Sequence, residues 1–314
     1  MGGTGVLPVG TVTSPSAGEP RFPSRKKRPR PARLVPLLPA TVLLAVFLLG
    51  PVVWSFYGSF TNSALTGAAA NHTSFVGLDN YSSLFTSSAF PMSLLLTLIF
   101  VFASAVIGQN LIGLALAVLM RKSNKVVRAA VGASVVAAWV LPEIVAAFGA
   151  YAFFSNTGTL NVILHAVGLP TINWLYDTPM LAVTLANVWR GTAFSMMVYS
   201  AALMNIPPEI TEAATVDGAG GWKRMWNITL PMIRRSISTN LMLITLQTLS
   251  VFTLIWVMTA GGPGSKSSTL PVLAYQEAFQ FSNLGYGTAI ATILLVVGAI
   301  FSIIYLRVLK PEVD

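Results

Sequence analysis

Six stretches of this chain run predominantly apolar for about 20 residues or more, and that pattern decides the solvent in which it folds. They lie at about 34–60, 92–120, 126–154, 180–204, 237–259 and 287–309. A bilayer core offers the backbone no water, so a crossing segment must pair its own N–H and C=O groups, as a helix does. The expected fold is therefore an all-α polytopic membrane protein with six transmembrane helices. Composition agrees, with 54% hydrophobic residues, 9% charged residues and a mean hydropathy of +0.71. The first stretch is too long for the apolar region of a signal peptide and is expected to stay attached.

Lys and Arg placement sets the orientation. Residues 1–33 hold seven of them, while Arg121, Lys122, Lys125 and Arg128 fall between the second and third spans. Lys223, Arg224, Arg234 and Arg235 precede the fifth span, and Arg307 and Lys310 follow the sixth. The opposite loops, 61–91, 155–179 and 260–286, contain only Lys266. Both termini are thus expected to be cytoplasmic. Residues 1–33, rich in Gly, Pro and Ser and then basic, carry too little apolar surface to fold and are read as a disordered tail. Directly before a span, that charge is expected to touch anionic membrane lipid, with no nucleic acid as partner. The spanning domain takes up residues 34–310. With no cysteine, and with His72 and His165 far apart in loops, neither a disulfide nor a metal site is expected.

One polar island interrupts the apolar pattern, residues 205–232, reading NIPPEITEAATVDGAGGWKRMWNITLPM. Pro207 and Pro208 suit a helix start, and Glu209 and Glu212 fall in the first turns, where the helix dipole favours negative charge. Ile210, Ala213, Ala214 and Asp217 then form a mostly small-residue face that a partner can approach. Gly218, Gly220 and Gly221 end this helix, and a second short amphipathic segment, 222–229, leads to Leu230-Pro231. Two short helices meeting at a glycine turn make a knob.

Charge within a span costs about 2.5–3.5 kcal/mol on insertion scales and has a functional reason more often than not. Glu143 in the third span and Arg190 in the fourth come out at matched depth, roughly 15–20 Å from the cytoplasmic edge. The two are expected to pair, lining a translocation path or tying the helices; each reaching water separately is the alternative. Gln109, Asn110, Asn187, Asn240 and Gln247 either line a polar cavity or bond helix to helix. Asn187 and Gln247 are carried forward with Glu143 and Arg190 as translocation-path candidates. There is no clustered acid, base or nucleophile set, so an enzyme is not expected. There is no G-x-x-x-x-G-K-[ST] loop either, so nucleotide chemistry belongs to another chain. An ion-coupled secondary transporter or channel remains as an alternative, with Glu143 as its only candidate intramembrane acid.

The island carries a resemblance. Glu212-Ala213-Ala214, three residues, Gly218, nine residues, Ile228, one residue, Leu230-Pro231 resembles the EAA loop of the membrane-spanning subunits of bacterial ABC importers. A later stretch is similar to one subtype: Val251-Phe-Thr-Leu-Ile-Trp-Val-Met-Thr-Ala-Gly-Gly-Pro-Gly264, followed by Tyr275 and Phe279. It looks like the first of the two permease subunits in sugar importers of the maltose and glycerol-phosphate type, with Thr253 where that family usually has aspartate. The Phe75-to-Tyr81 segment, with Gly77 and Asn80, is a weaker match. The resemblance implies the type I ABC importer permease fold, with a cytoplasmic coupling-helix loop between helices 4 and 5. Glu212, Ala213, Ala214, Asp217, Gly218, Ile228, Leu230 and Pro231 would then meet a cytoplasmic ATPase. It further implies a sugar or sugar-like solute, a bacterial inner-membrane location and four partners: a second homologous permease, two ATPase subunits and an extracytoplasmic solute-binding protein. ATP and Mg would bind to the ATPase, with no cofactor on this chain.

Overall fold

A computed structural model of the chain describes residues 38–309, together with Gly2, Gly3 and Pro36. The predicted tail, residues 1–33, otherwise lies outside the described residues. The chain divides into a small unit ending at Gly50 and a large one from Pro51 onward, and the site lies in the large unit. The described residues are helical apart from loops and one antiparallel bridge, Thr61 to Phe75.

The helices of six residues or more are α1 (Leu38–Gly58), α2 (Asp79–Thr86), α3 (Ala89–Lys122), α4 (Lys125–Val140), α5 (Glu143–Phe154), α6 (Thr159–Ala166), α7 (Pro179–Met204), α8 (Pro208–Val216), α9 (Gly221–Leu249), α10 (Thr253–Thr259), α11 (Leu270–Tyr275) and α12 (Leu284–Leu309). Three of them, α1, α3 and α12, are each long and apolar enough to cross a membrane. The number rises to five if α4 with α5 and α6, and α9 with α10, each count as one bent span. Large apolar side chains on these helices point outward, among them Phe47 at 75% exposure and Trp54 at 73%, as lipid-facing residues would.

Two predicted spans are corrected. The third, read as one helix over 126–154, turns by 109° between α4 and the segment Glu143–Ala166 that α5 and α6 make up. Pro142 is the cause: the residue before a proline is pushed out of the helical region, and Leu141 accordingly sits at ψ 134°. The fifth, read as starting near 237 and ending at 259, instead begins at Gly221, runs to Leu249 and bends by 47° into α10. At the bend the Ser250 hydroxyl donates to the Gln247 carbonyl at 2.9 Å, a local bond that competes with the helix ladder.

The core is organised on α7, which is buried along much of its length despite carrying Asn187, Arg190 and Thr192. Small residues make this close packing possible. A Cβ on Gly191 would lie 2.1 Å from the Gln109 Oε1 atom of α3, so the Gln109 amide packs directly onto that glycine. One apolar cluster joins Phe100 of α3, Ala147 and Phe154 of α5, Val183 of α7 and Ile255 of α10. A second, around Tyr199 and Leu203 of α7, takes in Ala117, Ile206 and Ile233. A third joins α2, α11 and α12 through Leu84, Leu270 and Ile290. The Asn80 amide donates to the Ser59 and Thr61 carbonyls at 2.9 and 2.8 Å, fixing α2 against the chain that follows Gly58.

Candidate functional site

The island folds as a helix, a glycine turn and the start of a much longer helix. Pro207 adopts φ −56°, ψ 132°, and Pro208 opens α8, where a missing N–H costs nothing. At the far end Gly218 takes φ +75°. The N–H of Gly218 donates to Thr215 O at 3.1 Å and the N–H of Ala219 donates to Ala214 O at 2.9 Å. This is the paired-bond motif that closes a helix with a left-handed residue, a conformation glycine adopts without a Cβ clash.

The second short helix expected at 222–229 is part of α9. A π-helical turn, Met225–Thr229, ends two residues before Pro231. The wider turn accommodates a residue that can neither donate to the helix ladder nor tolerate the usual carbonyl beneath it. Thr229 and Leu230 keep helical dihedrals, so the proline is passed without a break. At roughly 1.5 Å per residue, α9 is about 43 Å long.

Glu212, Ala213, Asp217 and Gly218 are exposed, whereas Ala214 is buried within the protein. The small-residue face is thus divided, one part inward and the rest free. Ile228 and Leu230 are half-buried and Pro231 is exposed. Val216 at 89% exposure and Trp222 at 77% project an apolar surface from the two arms. Arg224 braces the arms, donating through Nη1 to the Thr215 hydroxyl and, at 3.5 Å, to the Thr211 carbonyl. Neither Arg224 nor Val216 stands out by sequence reasoning, because the Arg224 contact depends on where the turn aims α9.

About 43 Å of helix separates that turn from the second feature, a cavity of about 390 Å³ where α3, α4, α5, α7 and α9 converge. Gln109, Trp139, Glu143, Asn187, Arg190, Phe194, Gln247 and Thr248 contribute to its walls. All four translocation-path candidates therefore reach one cavity. Glu143 is the first residue of α5 rather than a mid-span residue, and the helix dipole there favours its charge. Its Oε1 accepts the Leu254 N–H at 3.3 Å. The expected Glu143–Arg190 ion pair is not formed in this conformation: among the described residues no such contact lies within 4.0 Å. The Arg190 Nε is enclosed and has no hydrogen-bond partner.

The amides divide between the two roles left open by the sequence. Gln109 donates to Asn187 O at 3.2 Å and to Thr248 Oγ1 at 3.5 Å, and Asn187 donates to Ser104 Oγ at 2.9 Å. Both amides are nearly fully buried and join α3, α7 and α9 while edging the cavity. Asn240 donates to Ser195 Oγ at 3.0 Å and to Tyr199 OH at 2.9 Å, and the Tyr199 hydroxyl donates to Asn110. Gln247 is exposed to the cavity. Past the bend, Phe252, Trp256, Tyr275 and Phe279 form a run of touching rings, with Trp256 and Tyr275 centroids 4.8 Å apart and Tyr275 and Phe279 5.2 Å apart.

The family described as "Binding-protein-dependent transport system inner membrane component" matches residues 109–314. The chain is 31% identical over 284 residues to the sulfoquinovosyl glycerol transport system permease protein SmoG of Agrobacterium fabrum, covering 88% of this chain and 89% of the relative. It is 32% identical over 276 residues to the trehalose/maltose transport system permease protein MalF of Thermococcus litoralis, covering 87% and 91% respectively. A chain in the crystal structure of a bacterial ABC transporter involved in the import of the acidic polysaccharide alginate superimposes with a TM-score of 0.76. That match covers 90% of this chain and 96% of the other at 23% identity, a likeness of fold.

Proposed function

Because the chain belongs to the family of binding-protein-dependent transport system inner membrane components, we propose that it carries a sugar or sugar-like solute across the membrane as one half of a paired permease. It is a permease subunit of an ABC importer and not itself an enzyme. Sugar as substrate is supported by the names of its relatives, which include a sulfoquinovosyl glycerol permease and a trehalose/maltose permease.

The observation that carries the mechanism is α9, an unbroken helix that begins at the glycine turn and ends with Gln247 and Thr248 on the cavity wall. A rigid element with one end in each place transmits displacement between them. ATP binding, with Mg, on two partner ATPase subunits would draw them together and shift the 205–232 knob. α8, held to α9 by Arg224, would move with it. The cavity would then open alternately toward the two sides of the membrane. A second, homologous permease completes the path, and an extracytoplasmic solute-binding protein delivers the solute. One solved relative by fold is in complex with an alginate pentasaccharide-bound periplasmic protein.

In this reading the protein crosses the inner membrane six times. The five spans obtained by counting each bent pair once are joined by α7, whose Arg190 faces the cavity. Both termini and the knob are then cytoplasmic, on the side where Arg121, Lys122, Arg128 and Arg224 cluster. Glu212, Ala213, Ala214, Asp217, Gly218, Ile228, Leu230 and Pro231 form the coupling element, and Glu143, Arg190, Asn187 and Gln247 line the path.

The test is reconstitution in vesicles with the second permease, the ATPase and the solute-binding protein encoded with this chain. Labelled sugar uptake should require ATP and every partner. Uptake that continues without ATP would refute the proposal.

A further inference from the structure

Arg190 brings five N–H donors to the cavity, and none of them meets an acceptor among the described residues. Its Nε is fully enclosed and unpaired, and no carboxylate lies within 4.0 Å of the guanidinium. The other ionised group on the cavity wall is provided for. Glu143 sits in the first turn of α5, where the helix dipole offsets its charge, and accepts the Leu254 N–H at 3.3 Å. Two of the three amides on the wall are committed, Gln109 donating to Asn187 O and Asn187 to Ser104 Oγ, while Gln247 stays exposed to the cavity. The cavity therefore holds one cation with no counter-charge in contact. Enclosure without a partner is costly for the Nε, while Arg190 as a whole is half-buried and its Nη donors stay open to an incoming group.

We propose that the completing group is an anionic substituent on the transported sugar, a carboxylate or a sulfonate, and that Arg190 determines specificity for it. This rests on the reading of the cavity as the translocation path. The planar guanidinium fork matches a carboxylate or sulfonate with two parallel hydrogen bonds, a geometry an ammonium cannot supply. Trp139 of α4 and Phe194 of α7, with ring centroids 6.1 Å apart, also stand on the cavity wall. Their faces suit the C–H side of a sugar ring, leaving its charged substituent to Arg190.

The test uses the assembled importer in lipid nanodiscs without its solute-binding protein, so that selection by that protein does not intervene. Equilibrium dialysis compares two probes of one size and linkage: a glucuronosyl-glucose disaccharide and its neutral glucosyl-glucose counterpart. The acidic probe should bind about tenfold more tightly at low salt, the scale of one charge-assisted pair. Added salt should erode that preference. Arg190→Gln should bring the ratio of the two affinities to about one, and Arg190→Lys should keep part of it. Equal binding of the two probes by the unmodified importer would overturn the inference, and would point to a carboxylate from the second permease as the counter-charge. A preference that survives Arg190→Gln would overturn it as well. Ser250→Trp, which fills the cavity, separates this from failure of the path reading: if it leaves both probes bound, the cavity is not the path.

Discussion

Arg224 reaches back across the glycine turn to the hydroxyl of Thr215, tying the first turn of α9 to the last turns of α8. The same guanidinium nitrogen lies 3.5 Å from the Thr211 carbonyl. Both acceptors are neutral and the contact is partly open to solvent, so it is worth about 1 kcal/mol. Arg224→Met, which keeps the length and loses the donors, should increase the ATP consumed per solute imported about fivefold, the factor that follows from about 1 kcal/mol. Simultaneous ATPase and uptake assays on the reconstituted importer measure this. An unchanged ratio would show that the two arms need no brace.

Glu143 is held by position as well as by charge. Removing its side chain leaves the Leu254 N–H, on a residue 2% exposed, without an acceptor. Glu143→Ala should therefore destabilise the bend region by about 1–3 kcal/mol, whereas Glu143→Gln, which keeps a carbonyl oxygen, should cost less. Thermal unfolding of the purified assembly separates the two. Equal losses would mean that the carboxylate acts through its charge alone.

Much of this was legible in the sequence, and the exceptions have physical causes. Apolar length marks α1, α3 and α12 because each runs on without a sharp bend, the first two through a π-helical stretch at Ala45–Leu49 and Phe102–Gln109. The same apolar pattern runs across Leu141-Pro142 and across Ser250, so hydropathy joins what the backbone separates. Pro142 is visible as a possible kink, but the size of the turn depends on α5 packing against α7 and α10, which is a tertiary fact. Pro231 misleads in the opposite direction, since the π-helical turn that lets α9 continue through it leaves no signature in residue type. The motif residues from Glu212 to Pro231 could be picked out by spacing, and of the small face Ala213 is exposed where Ala214 is not. Ala214 is turned inward, which spacing along one helix does not reveal.

Outside the spans, burial raises the proton affinity of the Glu277 carboxyl, and its hydrogen bond with Asn283 only partly offsets this. A carboxyl with a raised folded pKa favours the folded state when protonated. That contribution is full below the unfolded pKa and is lost as pH rises through the folded one. Glu277→Gln should therefore raise the melting temperature at pH 7, and the gain should shrink as the pH is lowered through the carboxylate range. A gain independent of pH would assign the effect to packing.

The isolated chain should neither hydrolyse ATP nor accumulate solute. Its sequence has no phosphate-binding G-x-x-x-x-G-K-[ST] loop, and no acidic relay beyond Glu143 lines the cavity. Purified alone in vesicles, it should show background values in both assays. Solute uptake driven by an ion gradient under those conditions would restore the carrier alternative.

The central claim is that the glycine turn at Gly218 couples an ATPase to the cavity through α9. Gly218→Pro forbids the φ of +75° that the turn requires, because proline is fixed near −65°. Glu212→Lys with Ala213→Asp opposes the helix dipole and sets a carboxylate on the exposed part of the docking face. The spans pack through clusters that involve none of these three side chains. The decisive measurement is solute uptake, alongside membrane insertion and ATPase co-purification, for both variants expressed with all partner subunits. The account predicts normal insertion with uptake reduced at least tenfold and the ATPase lost or uncoupled, the scale of one unpaired charge at a buried contact. Normal insertion with uptake at the unmodified rate would contradict it.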